Sequence, residues 1–217
     1  MRYAQELLYL FVRYPEPGRV LTALEPQLGG VRAAQLAQRV AEHVVMDTDR
    51  LVRPGLERIV LVDPPERIRD VEDWLGYSFK CRGRPGKTET DALETAFSTA
   101  FAAGVERVVA MQTNCLDLNA EIVRSVFSSL HRADAVLGPA QSGACALIGL
   151  RAHNPGVLAG VDWGIRHAFE QVKRKLIQSG SRCEYVSRVR DLNSVEDLTA
   201  LAMSWPDVLE SFAERMS

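Results

Sequence analysis

At 217 residues, 47% hydrophobic and 25% charged, the chain is long enough to bury a substantial core and is composed like an ordinary globular protein. Its formal net charge of -2, with arginines spread along the chain, argues against a nucleic-acid partner held by a basic surface. No apolar run approaches the length of a membrane span, and the stretch at 7–12 is too short for a signal-peptide core and ends at Arg13, so the expectation is a cytoplasmic protein with no membrane partner.

Apolar and amphipathic runs alternate from one end to the other. ELLYLFVRY (6–14) is nearly continuous in apolar character and predicts a first strand covered on both faces. The Pro- and Gly-rich PEPGRV comes next, then a helix over 31–50 with Leu36, Val40, Val44 and Leu51 along one side. ERIVLVDPP predicts a second strand stopped by Pro64 and Pro65, ERIRDVEDWL a short helix and SFKCRG a short strand. TETDALETAFSTAFAAG predicts a helix with Leu93, Phe97 and Phe101 on one face, capped by Thr88 or Thr90 and closed by Gly104.

RVVAMQT is a further buried strand. The helix after it has Asn119 as its cap, Glu121 in its first turn and Ile122, Val126, Phe127 and Leu130 as its core stripe. DAVLGPA and ACALIGL predict a strand pair with QSG as the turn or crossing between them. A helix over 165–178 buries Ile165, Phe169, Val172 and Leu176, and CEYVSRVRD is a last strand. SVEDLTALAMSW predicts a last helix capped by Ser194, with Pro206 dividing it from a final amphipathic segment.

This alternation implies an α/β three-layer sandwich over 1–217, with a mostly parallel sheet made mixed by the inserted strand pair. Cys81, Cys115, Cys145 and Cys183 form no CxxC pair and read as buried reduced thiols. The four histidines show no metal-ligand spacing. Ligands of open sheets bind beyond the C-terminal strand ends, which nominates three loops: 14–22, 113–118 and 138–144.

Those loops, read as LFVRYPEPGRVLTAL, TNCLDL and LGPAQSGACALIGL together with VDW and RDLNSVEDL, resemble the landmarks of a bacterial transferase family. Its members are known as selenodomain-associated or arsenosugar-biosynthesis glycosyltransferases and share the GT-A nucleotide-diphospho-sugar transferase fold. The resemblance covers roughly residues 7–198. It implies that Arg13, Pro15, Gly18 and Arg19 of the first loop, Thr113 and Asn114 of the second and Ser142 of the third bind a nucleotide or nucleotide sugar. A diphosphate needs cations or backbone N–H groups beside it, and Gly18 allows close backbone approach.

The departures from the family pattern fall mostly on groups that carry chemistry. Leu21 and Ala23 stand where the family has lysine and arginine, and KTETDA (87–92) where it has a GDLGxR-like run. Asn114 replaces the aspartate of TDCPDL that would hold a divalent cation. A neutral amide is a poor substitute for an anionic ligand. Gln141 and Ser142 replace two acids, Cys145 and Ala146 two aromatics, Gly164 and Ile165 two hydroxyl residues and Asn193 one acid. Every loop on one edge of the sheet thus reads as stripped of charge, and the expectation is that no metal and no other cofactor binds.

Three functions remain open on the sequence. An active transferase would draw its missing carboxylate from Asp117, Asp162 or Asp191, hold a diphosphate on Arg13 and Arg19, and require Mg²⁺ or Mn²⁺. A degenerate member would act as a binding or assembly module, with a homodimer as one form. A nucleotidyltransferase is the third.

Overall fold

The computed structural model describes residues 4–163 and 166–206. The expected burial of Ile165, the replacements at Gly164 and Ile165, and the final amphipathic segment after Pro206 lie outside the described residues.

The first strand, β1 (Glu6–Arg13), is apolar from Leu7 to Val12, and both its faces are covered there. Leu8, Leu10 and Val12 enter one core, while Leu7, Tyr9 and Phe11 enter the other. Parity along a pleated strand produces this split. After two short pieces, a 3-10 turn at Thr22–Leu24 and α1 (Glu25–Leu28), the chain enters α2 (Gly30–Asp47). This helix buries Leu36, Val40 and Val44, and a 3-10 turn at Thr48–Leu51 buries Leu51 beyond its end. β2 (Leu56–Asp63), α3 (Ile68–Leu75) and β3 (Lys80–Gly83) follow in the expected order.

α4 (Glu89–Ala102) begins at Thr88, whose hydroxyl accepts from the Asp91 amide while the Asp91 carboxylate accepts from the Thr88 amide. This reciprocal box satisfies donors that a helix start leaves open, so the cap is Thr88 and not Thr90. β4 (Arg107–Gln112) leads to α5 (Ala120–Ser129), capped by Asn119 Oδ1 accepting from the Glu121 and Ile122 amides at 3.0 Å each. Its buried stripe is Val123, Val126, Phe127 and Leu130, with Ile122 only half-buried at the margin.

β5 (Ala135–Pro139) and β6 (Cys145–Leu150) form the predicted pair. α6 (Pro155–Leu158), α7 (Ala168–Gln178), β7 (Cys183–Tyr185) and α8 (Val195–Ser204) complete the described chain. The last strand is far shorter than expected, because beyond Tyr185 only a single bridge, from Val189 to Ala140, continues the pairing.

Among the described residues these strands make a seven-stranded sheet in the order β3-β2-β1-β4-β6-β5-β7. β6 runs antiparallel to β4 and β5, and every other pairing is parallel. α2, α3, α5 and α8 pack on one face, and α4, α6 and α7 on the other. The parallel register brings the C-terminal ends of β1, β2 and β4 level: Arg13 pairs with Asp63, and Phe11 with Gln112. β6, being reversed, delivers its first residues to the same edge. No helix among the described residues is long and apolar enough to cross a membrane.

Candidate functional site

A cleft of about 780 Å³ opens on that edge, and all three nominated loops reach it. Arg13, Arg19, Thr113, Asn114 and Ser142 lie on its wall, whereas Pro15 and Gly18 do not. The Gly18 amide donates to Glu25 Oε1 at 2.6 Å, so it is already used within the loop and does not wait for a phosphate. The loop is instead held from the side. Arg67, just before α3, donates from Nε and Nη2 to Glu16 Oε1 at 3.1 and 2.5 Å and lies 4.7 Å above the Tyr14 ring. Arg19 donates to the other Glu16 oxygen at 3.1 Å. These two arginines hold the Glu16 carboxyl below the usual glutamate range.

Leu21, where the resemblance leads one to expect lysine, adopts φ +47°. That left-handed conformation costs a non-glycine residue roughly 1 kcal/mol and is rare outside sites with a special requirement. Leu21 too lies on the cleft wall.

The second loop is positioned by Thr113, whose buried hydroxyl donates to the Phe11 carbonyl at 2.8 Å. Asn114 is half-buried. Its side-chain oxygen accepts from the Cys115 thiol at 3.5 Å and its backbone carbonyl accepts from the Leu192 amide at 3.1 Å. Behind it, Asp117 lies off the cleft in a narrow pocket of about 20 Å³, closed by Leu201 and Trp205, and accepts from the Arg190 amide at 2.8 Å. That is a turn-fixing role, with space for little more than one water.

Asp191 is the buried acid of the site, at 4% exposure. Its carboxylate accepts from the Ser142 amide at 3.1 Å, from the Ser142 hydroxyl and from the Asn193 side-chain amide. Asp162 is exposed and lies off the cleft wall, with its backbone amide donating to Gln171. Of the three candidate carboxylates only Asp191 reaches the cleft, and its oxygens are committed to neighbouring donors.

The impression of a charge-stripped edge does not survive the fold. Arg84 and Lys87, from the loop between β3 and α4, join Arg13 and Arg19 on the wall, and Arg166 lines it too. Arg84 is 13% exposed and bonds Asp63 at 3.2 Å from one side, while Arg13 approaches the same carboxylate at 3.5 Å from the other. Glu89 and Gln112 also line the cleft and are joined by a hydrogen bond of 2.8 Å. These residues escape a reading by loop motif because they come from a helix leader and a strand end separated in sequence. The available signals were the Arg-Pro-Gly-Lys-Thr run just before α4 and KTETDA (87–92), whose own Lys87 and Glu89 line the cleft.

The four thiols offer no nucleophile. Burial pushes the Cys145 thiol up to about 12 and Cys81 up to about 11, and it raises Cys183 and Cys115 as well. A raised value means a protonated, unreactive thiol at neutral pH. Native protein at pH 7.5 should therefore resist iodoacetamide at all four cysteines, and denatured protein should take up four labels by mass. Rapid labelling of native Cys115 would contradict the burial assigned to it.

A divalent cation does not fit these donors. Among the described residues no group of three or more His, Cys, Asp or Glu side chains could hold a metal ion. At the expected place Asn114 is neutral and faces a thiol, and Asp191 already accepts three hydrogen bonds from Ser142 and Asn193. A hard cation needs anionic oxygens free to turn towards it.

Residues 45–165, more than half of the chain, match the model of a family described as "Uncharacterized protein conserved in bacteria (DUF2064)". The chain belongs to DUF2064. No curated protein matches this DUF2064 member in sequence. Among solved structures it is similar to a candidate nucleotide-diphospho-sugar transferase from Desulfovibrio desulfuricans G20, at 29% identity and a TM-score of 0.79, over 91% of this chain and 86% of that one. It shares its fold with CMP:2-keto-3-deoxy-manno-octonic acid synthetase complexed with CTP, at 11% identity and a TM-score of 0.56, over 92% and 97% of the two chains. It also shares its fold with Rv0371c of Mycobacterium tuberculosis H37Rv in complex with manganese, at 11% identity and a TM-score of 0.56, over 92% and 99%. The DUF2064 chain therefore has the nucleotide-diphospho-sugar transferase-like α/β fold.

Proposed function

We propose that the cleft binds a nucleoside diphosphate, free or joined to a sugar-like group, and that it grips the diphosphate with arginine and lysine side chains rather than with a protein-held metal. The carrying observation is the charge of the wall. Arg13, Arg19, Arg84 and Lys87 gather around the ends of β1, β2 and β3, with Asp63 between two of them. Charge-assisted hydrogen bonds from such groups are the usual substitute for a cation beside phosphate. The candidate transferase from Desulfovibrio and the synthetase with CTP support a nucleotide as the ligand class. The arsenosugar and selenodomain association of the resembling glycosyltransferases is the finer form of this reading, with transfer of a glycosyl group as the reaction.

Nucleoside diphosphates should raise the melting temperature with or without Mg²⁺ or Mn²⁺. Arg13→Ala and Lys87→Ala should each weaken binding roughly tenfold, as expected for one charge-assisted bond. Added salt should weaken binding further. A shift seen only with metal would overturn the metal-free grip, and no shift with any nucleoside diphosphate would overturn the ligand class. A second reading, a nucleotidyltransferase on the same scaffold, is favoured only by the CTP-bound neighbour and predicts that triphosphates bind more tightly than diphosphates.

A further inference from the structure

Among the described residues the wall of the cleft holds three acids, and two are spoken for. Asp63 sits between Arg13 and Arg84, and Asp191 is taken by Ser142 and Asn193. Glu89 is different. It stands half-buried in the first turn of α4, and its Oε1 accepts from Gln112 Nε2 at 2.8 Å. Its second oxygen, and the side-chain oxygen of Gln112, have no partner among the described residues.

The next residue ties this pair to a third group. Thr90 donates from Oγ1 to the Val161 carbonyl at 3.0 Å, which joins the start of α4 to the segment carrying Trp163. Trp163 lines the cleft, and its indole N–H is buried without a partner among the described residues. One stretch of wall thus offers two unused oxygen acceptors, an unsatisfied donor and an aromatic ring. The carboxylate repels a phosphate. Acceptors left open call for donors, and a group carrying several hydroxyls supplies donors to the oxygens and an acceptor to the indole. Its C–H face can pack on the ring.

Resting on the nucleotide reading above, we propose that Glu89, Gln112 and Trp163 form a subsite for a polyhydroxylated, sugar-like group attached to the diphosphate. The cleft then has two chemically distinct parts, cationic for the phosphates and acceptor-rich for the hydroxyls. A site built to bond hydroxyls discriminates strongly against ligands that lack them, because its own polar groups are then left unpaired.

The test is calorimetric titration of the full chain with UDP, ADP, GDP and CDP and with the glucose conjugate of each. For the base that binds, the conjugate should bind at least about tenfold more tightly than the bare diphosphate, the effect of one good hydrogen bond to a charged group. Glu89→Gln places an N–H₂ where an acceptor stood and should erase that advantage while the bare diphosphate binds as well as before or better. Trp163→Phe keeps the packing, removes the donor and should reduce the advantage severalfold. The subsite is overturned if the bare diphosphate binds and the conjugate gains nothing, or if Glu89→Gln keeps the full gain. If no diphosphate binds, the nucleotide reading falls and takes the subsite with it.

Discussion

Gly143→Ala should lower the stability of the protein by about 2–4 kcal/mol and cut its affinity for a nucleoside diphosphate at least tenfold. The turn from β5 to β6 is closed by the Gly143 amide donating to the Ala140 carbonyl at 3.1 Å. At this turn Gly143 has φ +91°, a conformation that L-residues rarely adopt. A Cβ there would also lie 1.8 Å from the Arg166 carbonyl oxygen, a backbone atom rather than the far end of a flexible side chain. The turn and the segment before α7 must therefore separate. Ser142 is the next residue back and supplies two hydrogen bonds to the buried Asp191. Separation would leave that carboxylate short of donors in a buried place, which carries a further penalty. Ser142→Ala isolates that part, since it removes the hydroxyl and leaves the backbone in place. Thermal denaturation and nucleotide titration of both variants check the expectation. A Gly143→Ala protein melting within a degree or two of the parent would mean that the close approach to Arg166 does not hold the turn.

What could be read in the sequence divides along the range of the interactions involved. Strand parity and helix stripes are local, so the pattern from Leu7 to Val12 already implied a strand buried on both faces, and Asn119 and Ser194 announced their helices. The antiparallel placement of β6 also followed from a short turn between two apolar runs. The site is another matter. Asp117 and Asp191 are both aspartates in loops that resemble ligand-binding motifs, yet one fixes a turn behind the cleft and the other anchors Ser142 on its wall. Which of them meets a ligand depends on contacts with residues 73 and 49 positions away.

The same holds for the charge on the cleft. Motif by motif, each loop had lost acids and cations relative to the family pattern, and the sum suggested a neutral edge. The fold gathers Arg84, Lys87, Glu89 and Gln112 from the end of β3, the start of α4 and the end of β4, and no one motif contains them. Asn114 belongs to this revision. It no longer stands for a missing metal ligand alone: its two oxygens bind the Cys115 thiol and the Leu192 amide, which join the loop after β4 to the segment before α8.

Glu6→Ala provides the contrast, with a large expected loss of stability at the opposite end of the sheet. Glu6 begins β1 at 8% exposure and is bonded by two arginines, Arg53 on one oxygen and Arg107 on the other at 3.1 Å. Arg107 is 14% exposed, and the Arg53 guanidinium lies 5.4 Å over the Phe127 ring with its Nε buried and unpartnered among the described residues. Removing the carboxylate leaves two cations side by side, one largely and one partly desolvated. Breaking a buried pair by deleting one partner costs about 3 kcal/mol at the lower end of the observed range. The lower end applies here because Arg107 keeps Glu106 at 3.2 Å and Arg53 is one-third exposed. For a chain of this length that corresponds to a fall of about 10 °C in melting temperature. Glu106→Ala, at an exposed rim acid, should change stability by less than about 0.5 kcal/mol. Eight strand residues, roughly 25 Å, separate Glu6 from the cleft, so nucleotide affinity of the folded Glu6→Ala protein should match the parent. Loss of affinity in parallel with stability would show that the ion cluster at the strand starts also shapes the cleft at the strand ends, and the two ends of the sheet could not then be treated as independent.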